Sequence, residues 1–202
     1  KMKVGRIVVA TDFSRTADSS ARRAAWLAKA GRATLDLVHS VHLPPLANTW
    51  RKLVEGEGIT DETLRAGALA RLAEQAAALE KRTGVKPATR LLEGKPPQAL
   101  ADWTRQCAAD LVVVGAHGEH LLLDLFVGST AQKLLRLASQ PVLLVKQTPP
   151  FEYERILIAT DFSPAGRAAA EFAARVFDAA ELYLFHAYEA PFERQMYYAG
   201  AD

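Results

Sequence analysis

A nine-residue segment occurs twice in this chain. Arg6-Ile7-Val8-Val9-Ala10-Thr11-Asp12-Phe13-Ser14 returns as Arg155-Ile156-Leu157-Ile158-Ala159-Thr160-Asp161-Phe162-Ser163, with seven of nine positions identical. Each copy runs on into an Ala-rich stretch of helical character, residues 17–30 and 165–180. Each then enters a second apolar run holding one histidine, His39 within 35–41 and His186 within 182–188. Strand, helix, strand is thus written twice. The strands are continuous apolar runs, as strands buried on both faces of a parallel sheet are. The residues after Val41 in the first copy have no counterpart in the second, which reaches Asp202 without them.

The first copy goes on alternating. A Pro44-Pro45 loop leads to a long helix over 61–83, where Leu64, Ala68, Leu72, Ala76 and Leu79 recur at spacings of three and four. Further strands are expected at 87–92, 111–114 and 142–145, and further helices from Pro96-Pro97 and over 129–138. Gly31 and Gly84 are the expected helix stops. Five strands alternating with four helices predict a doubly wound α/β domain, a parallel sheet covered on both faces. Ligands bind such sheets at the carboxyl ends of the strands, which directs attention to the loops after the strands at 6–10 and 111–114.

Composition narrows the class. Half of the 202 residues are apolar and 24% are charged, which excludes a disordered chain. Basic residues number 25 against 23 acidic, scattered rather than clustered, so a broad nucleic-acid-binding face is not supported. One cysteine, Cys107, excludes an internal disulfide framework and fits a reducing compartment. The apolar run closed by Asp12 is too short for a signal-peptide core, and no stretch of about 18 uncharged apolar residues offers a membrane span. Met2 reads as the native start, and a cytoplasmic location is expected.

The chemistry concentrates after Val114. Gly115-Ala116-His117-Gly118, then nine residues, then Gly128-Ser129-Thr130 form the pattern G-x-x-G-x9-G-S between a buried strand and a helix. Gly115 and Gly118 let the backbone approach a ligand with no Cβ in the way. Gly128, Ser129 and Thr130 are expected to offer free N–H groups and two hydroxyls at a helix N-terminus, where the dipole favours an anion. Amides rather than lysines would hold a phosphate. The plainer alternative, glycines that only end a strand and start a helix, does not explain so long an excursion.

On these residues the chain resembles the universal stress protein family. The resemblance is carried by the turn Ala10-Thr11-Asp12-Phe13-Ser14, the G-x-x-G-x9-G-S stretch and the last strand Pro141-Val142-Leu143-Leu144-Val145-Lys146. It covers residues 4–147 as one domain and 155 to about 191 as the start of another. The resemblance implies tandem organisation: a complete domain with the nucleotide site over 1–147, a linker over 148–154, and the first β-α-β part of a second, truncated domain over 155–202. It also implies strand order 3-2-1-4-5 and the ATP-binding branch, with Mg2+ or Mn2+ accompanying the nucleotide. By that resemblance Gly118, Gly128, Ser129 and Thr130 hold the phosphates. Gly115 and the Ala10-Thr11 backbone lie along ribose and adenine, and the Val41 backbone reads the adenine edge. Asp12 faces the nucleotide directly or through the metal ion, and His117 sits within the phosphate loop. In tandem relatives the domains pair through their last strands, so a homodimer through 142–146 is expected here, with no nucleic-acid or membrane partner. The function expected is a nucleotide-dependent stress or signalling module. The alternatives are an ATP-independent interaction scaffold and a slow ATPase.

Other candidates read more simply. His39 and His42 form an H-x-x-H pair without accompanying Cys or carboxylates, so a metal site is not expected, and His39 with His186 reads as a repeated strand-end residue. Cys107 reads as a small apolar residue late in its helix, and Trp26 and Trp103 as core or interface. A Walker loop is absent, glycines are missing after the first strand where a dinucleotide fold needs them, and the Ser-Gly-Gly turn of ATP-pyrophosphatases is missing there too.

Overall fold

The computed structural model describes residues 4–42, 60–116, 127–146 and 152–188. The chain divides into two compact units, with the boundary between Phe151 and Glu152.

In the first unit the elements run β1 (Arg6–Ala10), α1 (Arg15–Gly31), β2 (Thr34–Val41), α2 (Asp61–Thr83), β3 (Ala88–Glu93), α3 (Pro96–Gln106), β4 (Leu111–Gly115), α4 (Ser129–Leu137) and β5 (Val142–Val145). The strands pair in parallel in the order β3-β2-β1-β4-β5. β1 is central, so Ile7, Val8 and Val9 are all buried, which explains an apolar run without alternation. One face of the sheet buries Val8, Val38, Val112 and Val114 against Leu100 and Ala101 of α3 and Ala131 and Leu134 of α4. On α1 the alanines Ala21, Ala24, Ala25 and Ala28 are buried, small enough for the helix to lie close on the strands. No described helix is long and apolar enough to cross a membrane.

Most expected bounds hold, and those that shift do so by a residue or two for local reasons. α1 begins at Arg15 rather than 17, because Ser14 caps it: the Ala17 N–H donates to Ser14 Oγ at 3.2 Å. Gly31 is not the stop; it is the last helical residue. The left-handed residue is Arg32 (φ 55°), and the Ala33 N–H closes the end onto the Ala28 carbonyl at 2.8 Å. Gly84 does terminate α2, at φ 73°. Cys107 is not inside its helix. It caps α3 from just beyond the end, is half-buried, and precedes the left-handed Ala108 (φ 50°).

The second unit pairs β6 (Arg155–Ala159) in parallel with β7 (Glu181–Phe185), joined by α5 (Pro164–Val176). None of its described residues is fully buried. Leu157, Leu184 and Phe185 are exposed.

Candidate functional site

The polar turn that leaves β1 is built from its own side chains. Thr11 is buried, and its Oγ1 accepts the Phe13 N–H at 2.9 Å. Asp12 folds one oxygen back, Oδ1 accepting the Ser14 N–H at 2.9 Å, an Asx turn that leads straight into the cap of α1. Between them Phe13 holds φ 66°, a conformation that costs a side-chain-bearing residue energy. Contacts on the Phe13 ring offset that cost. Its centroid lies 4.4 Å from that of His39, and the Arg71 guanidinium carbon lies 4.3 Å from the same centroid. His39 Nδ1 lies 2.7 Å from the Thr11 carbonyl oxygen. A carbonyl only accepts, so Nδ1 carries the hydrogen.

The second copy builds the same turn. Phe162 has φ 62°, its N–H donates to Thr160 Oγ1 at 3.0 Å, and the Ser163 N–H donates to Asp161 Oδ1 at 2.9 Å. His186 Nδ1 meets the Thr160 carbonyl at 2.7 Å, with the Phe162 ring 4.5 Å from the imidazole. His39 and His186 are therefore one repeated strand-end residue, each pinning the carbonyl of the turn that precedes it.

Across from this turn, β4 ends at Gly115 and α4 begins at Ser129. The Gly128 N–H is not free: it donates to the Ala116 carbonyl at 2.7 Å, closing the loop on itself. The first intrahelical bond runs from the Gln132 N–H to the Gly128 carbonyl, and no side chain caps the helix. The donors at this end are consequently the N–H groups of Ser129, Thr130 and Ala131, with two hydroxyls beside them. Ala131 was not expected; the shift by one comes from the Gly128–Ala116 bond.

Between the two ends lies a cleft of about 400 Å³. β1 and its turn give Ala10, Thr11 and Asp12, and β2 gives Val38, His39 and Ser40. Val114 and Gly115 end β4 and Ala116 follows it, and Gly128, Ser129, Thr130 and Ala131 come from the start of α4. Pro96 and Leu100 of α3 and Ala17 of α1 complete the wall. The cleft thus brings together Ala10, Thr11, Asp12, Gly115, Gly128, Ser129 and Thr130, residues far apart in sequence. Val41 is not among the lining residues; it ends β2, and its carbonyl accepts the Gly94 N–H at 2.9 Å. His117 and Gly118 lie outside the described residues. The sequence reading missed Ser40, whose hydroxyl donates to the Gly94 carbonyl at 2.8 Å, and Pro96 and Leu100. Among the described residues no group of three or more His, Cys, Asp or Glu is placed to hold a metal ion.

The cleft is chemically two-ended. Hydrogen-bond acceptors line the β1 exit: the Asp12 carboxylate, Thr11 Oγ1 and the Thr11 carbonyl. Donors line the start of α4, in the positive end of the helix dipole. Sheet order reverses between β1 and β4, the place where doubly wound sheets take their ligands. Fold and site together define a doubly wound α/β domain with a small-molecule cleft at its switch point.

The chain belongs to the universal stress protein family, whose model matches residues 3–146. Universal stress protein A homolog 1 of Coxiella burnetii is 30% identical over 146 residues, 71% of this chain and 97% of that protein. A universal stress protein of Archaeoglobus fulgidus, solved in complex with dAMP, superposes with a TM-score of 0.53 at 24% identity, covering 71% of this chain and 99% of the other. A universal stress protein solved in complex with cAMP gives a TM-score of 0.50 at 24% identity, covering 73% and 99%. These structural neighbours bind adenine nucleotides.

Proposed function

We propose that the first unit binds ATP in the cleft between β1 and β4 and works as a nucleotide-dependent stress or signalling module. The observation that carries this reading is the cleft's polarity. Acceptors at the β1 exit suit the donors of ribose and adenine, and amides with hydroxyls at α4 suit phosphate. The dAMP and cAMP complexes of structural neighbours support the same class of ligand. Gly118 is assigned to the phosphates with Gly128, Ser129 and Thr130, and the Val41 backbone to the adenine edge.

Asp12 fits a supporting role toward Mg2+ or Mn2+. One of its oxygens is engaged by Ser14, and a hard divalent ion bound through one carboxylate plus the phosphates needs no protein cage. Amides and hydroxyls hold a phosphate without activating water, so turnover is slow or absent and ATP acts as a bound ligand. Binding to the native state alone adds about 2.7 kcal/mol at a hundredfold excess over Kd. ATP should therefore raise the melting temperature while phosphate release stays at background. Gly118→Val or Gly128→Val should abolish the shift. Unchanged affinity in both variants, or sustained turnover near about 1 per second, overturns the reading.

Assembly is set by the sheet edge. Among the described residues β5 pairs only with β4, and Val142, Leu143 and Leu144 are half-buried. An apolar edge strand invites a second copy of itself. We infer a homodimer through 142–146, in the cytoplasm, with residues 155–202 forming the start of a second domain after a 148–154 linker. Light scattering that shows only monomer at micromolar concentration would defeat the dimer.

A further inference from the structure

Helix α2 supplies no residue to the cleft wall, yet one of its side chains reaches the turn that does. The Thr11 hydroxyl donates to Gln75 Oε1 at 2.8 Å, across 64 residues of sequence. One turn earlier on the same helix, Arg71 covers the Phe13 ring. The second copy shows what this contact does not do. There the same turn, with Phe162 at φ 62° and the same hydrogen bonds, forms on a threonine, Thr160, that comes after β6. The backbone shape is therefore written in Thr-Asp-Phe-Ser itself, and Gln75 has a different consequence.

That consequence is the direction of a proton. A hydroxyl has one hydrogen and two lone pairs. At Thr11 the hydrogen goes to Gln75, and one lone pair accepts the Phe13 N–H. Only an acceptor site is left. The Thr11 carbonyl, already engaged by His39, and the Asp12 carboxylate likewise only accept. We propose that Gln75 is a specificity-determining residue: by taking the proton of the Thr11 hydroxyl it leaves that oxygen of the wall an acceptor only. A nucleotide must then present a donor there, a ribose hydroxyl or the amino group of adenine. A group that only accepts would leave Thr11 Oγ1 facing another lone pair, the mismatch that discriminates most strongly in buried polar sites. The inference rests on the nucleotide reading of the cleft.

The test is a double-substitution cycle read by calorimetry, with ATP as probe. Gln75→Met keeps the length of the side chain and removes the acceptor; it should weaken ATP about fivefold, the size of one hydrogen bond. Gln75→Glu keeps an acceptor and should stay within about twofold of the parent. In a Thr11→Val background, which has no hydroxyl to orient, Gln75→Met should cost nothing further. Melting of the ligand-free proteins checks that each is folded. ITP and 2′,3′-dideoxy-ATP then identify the donor: the analogue lacking it should bind parent and Gln75→Met alike. If the parent binds ATP and Gln75→Met binds it equally, or Gln75→Glu is as weak as Gln75→Met, the proton assignment is wrong. If the parent protein binds no ATP, the nucleotide reading falls and takes this inference with it.

Discussion

At Asp161 two donors from Ser163, its hydroxyl first and then its N–H, stabilise the charged carboxylate and hold it below its ordinary value. His186 adds a smaller attraction in the same direction. A carboxylate depressed in the folded state contributes stability above the unfolded value of about 3.9, and that contribution is lost as pH falls through the folded value. The turn after β6 should accordingly hold at neutral pH and loosen only in acid. Carboxyl NMR titration should place the Asp161 midpoint below that of an ordinary aspartate. Ser163→Ala should raise the midpoint and Ser163→Thr should leave it in place; a midpoint that ignores Ser163→Ala contradicts the hydrogen-bond account. The residues of this turn were legible from the repeat alone, because identical turn residues must meet similar local demands. Its left-handed residue was not. Phe13 and Phe162 sit where glycine or asparagine is the usual choice, and the contacts that make this tolerable come from His39 within the next strand and His186 just past the next strand.

Helix α2 shows which part of an element a sequence can announce. Its bounds were readable because Ala68, Leu72, Ala76 and Leu79 recur on one stripe, and these are its buried residues. Its start is fixed by a reciprocal cap. The Thr63 N–H donates to Thr60 Oγ1 at 3.1 Å, and the Thr60 N–H donates back to Thr63 Oγ1 at 2.9 Å. Thr60→Ala should cost about 1 kcal/mol, measured as a lower denaturant midpoint with unchanged slope; no change would mean the cap is frayed in solution. Gln75, three residues after Leu72 and four before Leu79, lies beside that stripe and is half-buried, a polar side chain on the inward side whose partner the sequence does not name. Its link to Thr11 depends on how α2 is docked on the sheet, and docking is a tertiary quantity. The same limit applied at Gly128, whose N–H is consumed by Ala116 only because the loop returns to where it left β4.

Across the whole molecule, the two copies separate what a sequence specifies from what its surroundings add. Val8 and Leu157 hold the same place in the repeat, yet Val8 is 0% exposed and Leu157 68%. In the first unit α3 and α4 lie on the face that Val8 shares with Val38 and Val112. In the second, β6 and β7 have their helix α5 and a parallel register, but no buried residue among those described. Strands with so little apolar burial open at low free-energy cost, whereas a core strand opens only when its whole unit does. Native-state hydrogen exchange should therefore find β1 amides among the slowest in the chain and β6 amides orders of magnitude faster. Val8→Ala should speed exchange throughout the first unit by the equivalent of about 2 kcal/mol, the loss of two buried methyl groups and the space they leave. Leu157→Ala, although it removes more atoms, should change exchange in β6 by less than about 0.5 kcal/mol. Equal protection of β1 and β6, or a cost at Leu157 as large as at Val8, would show that the apolar face of the second unit is shielded in solution and that its strands are held by more than their own hydrogen bonds.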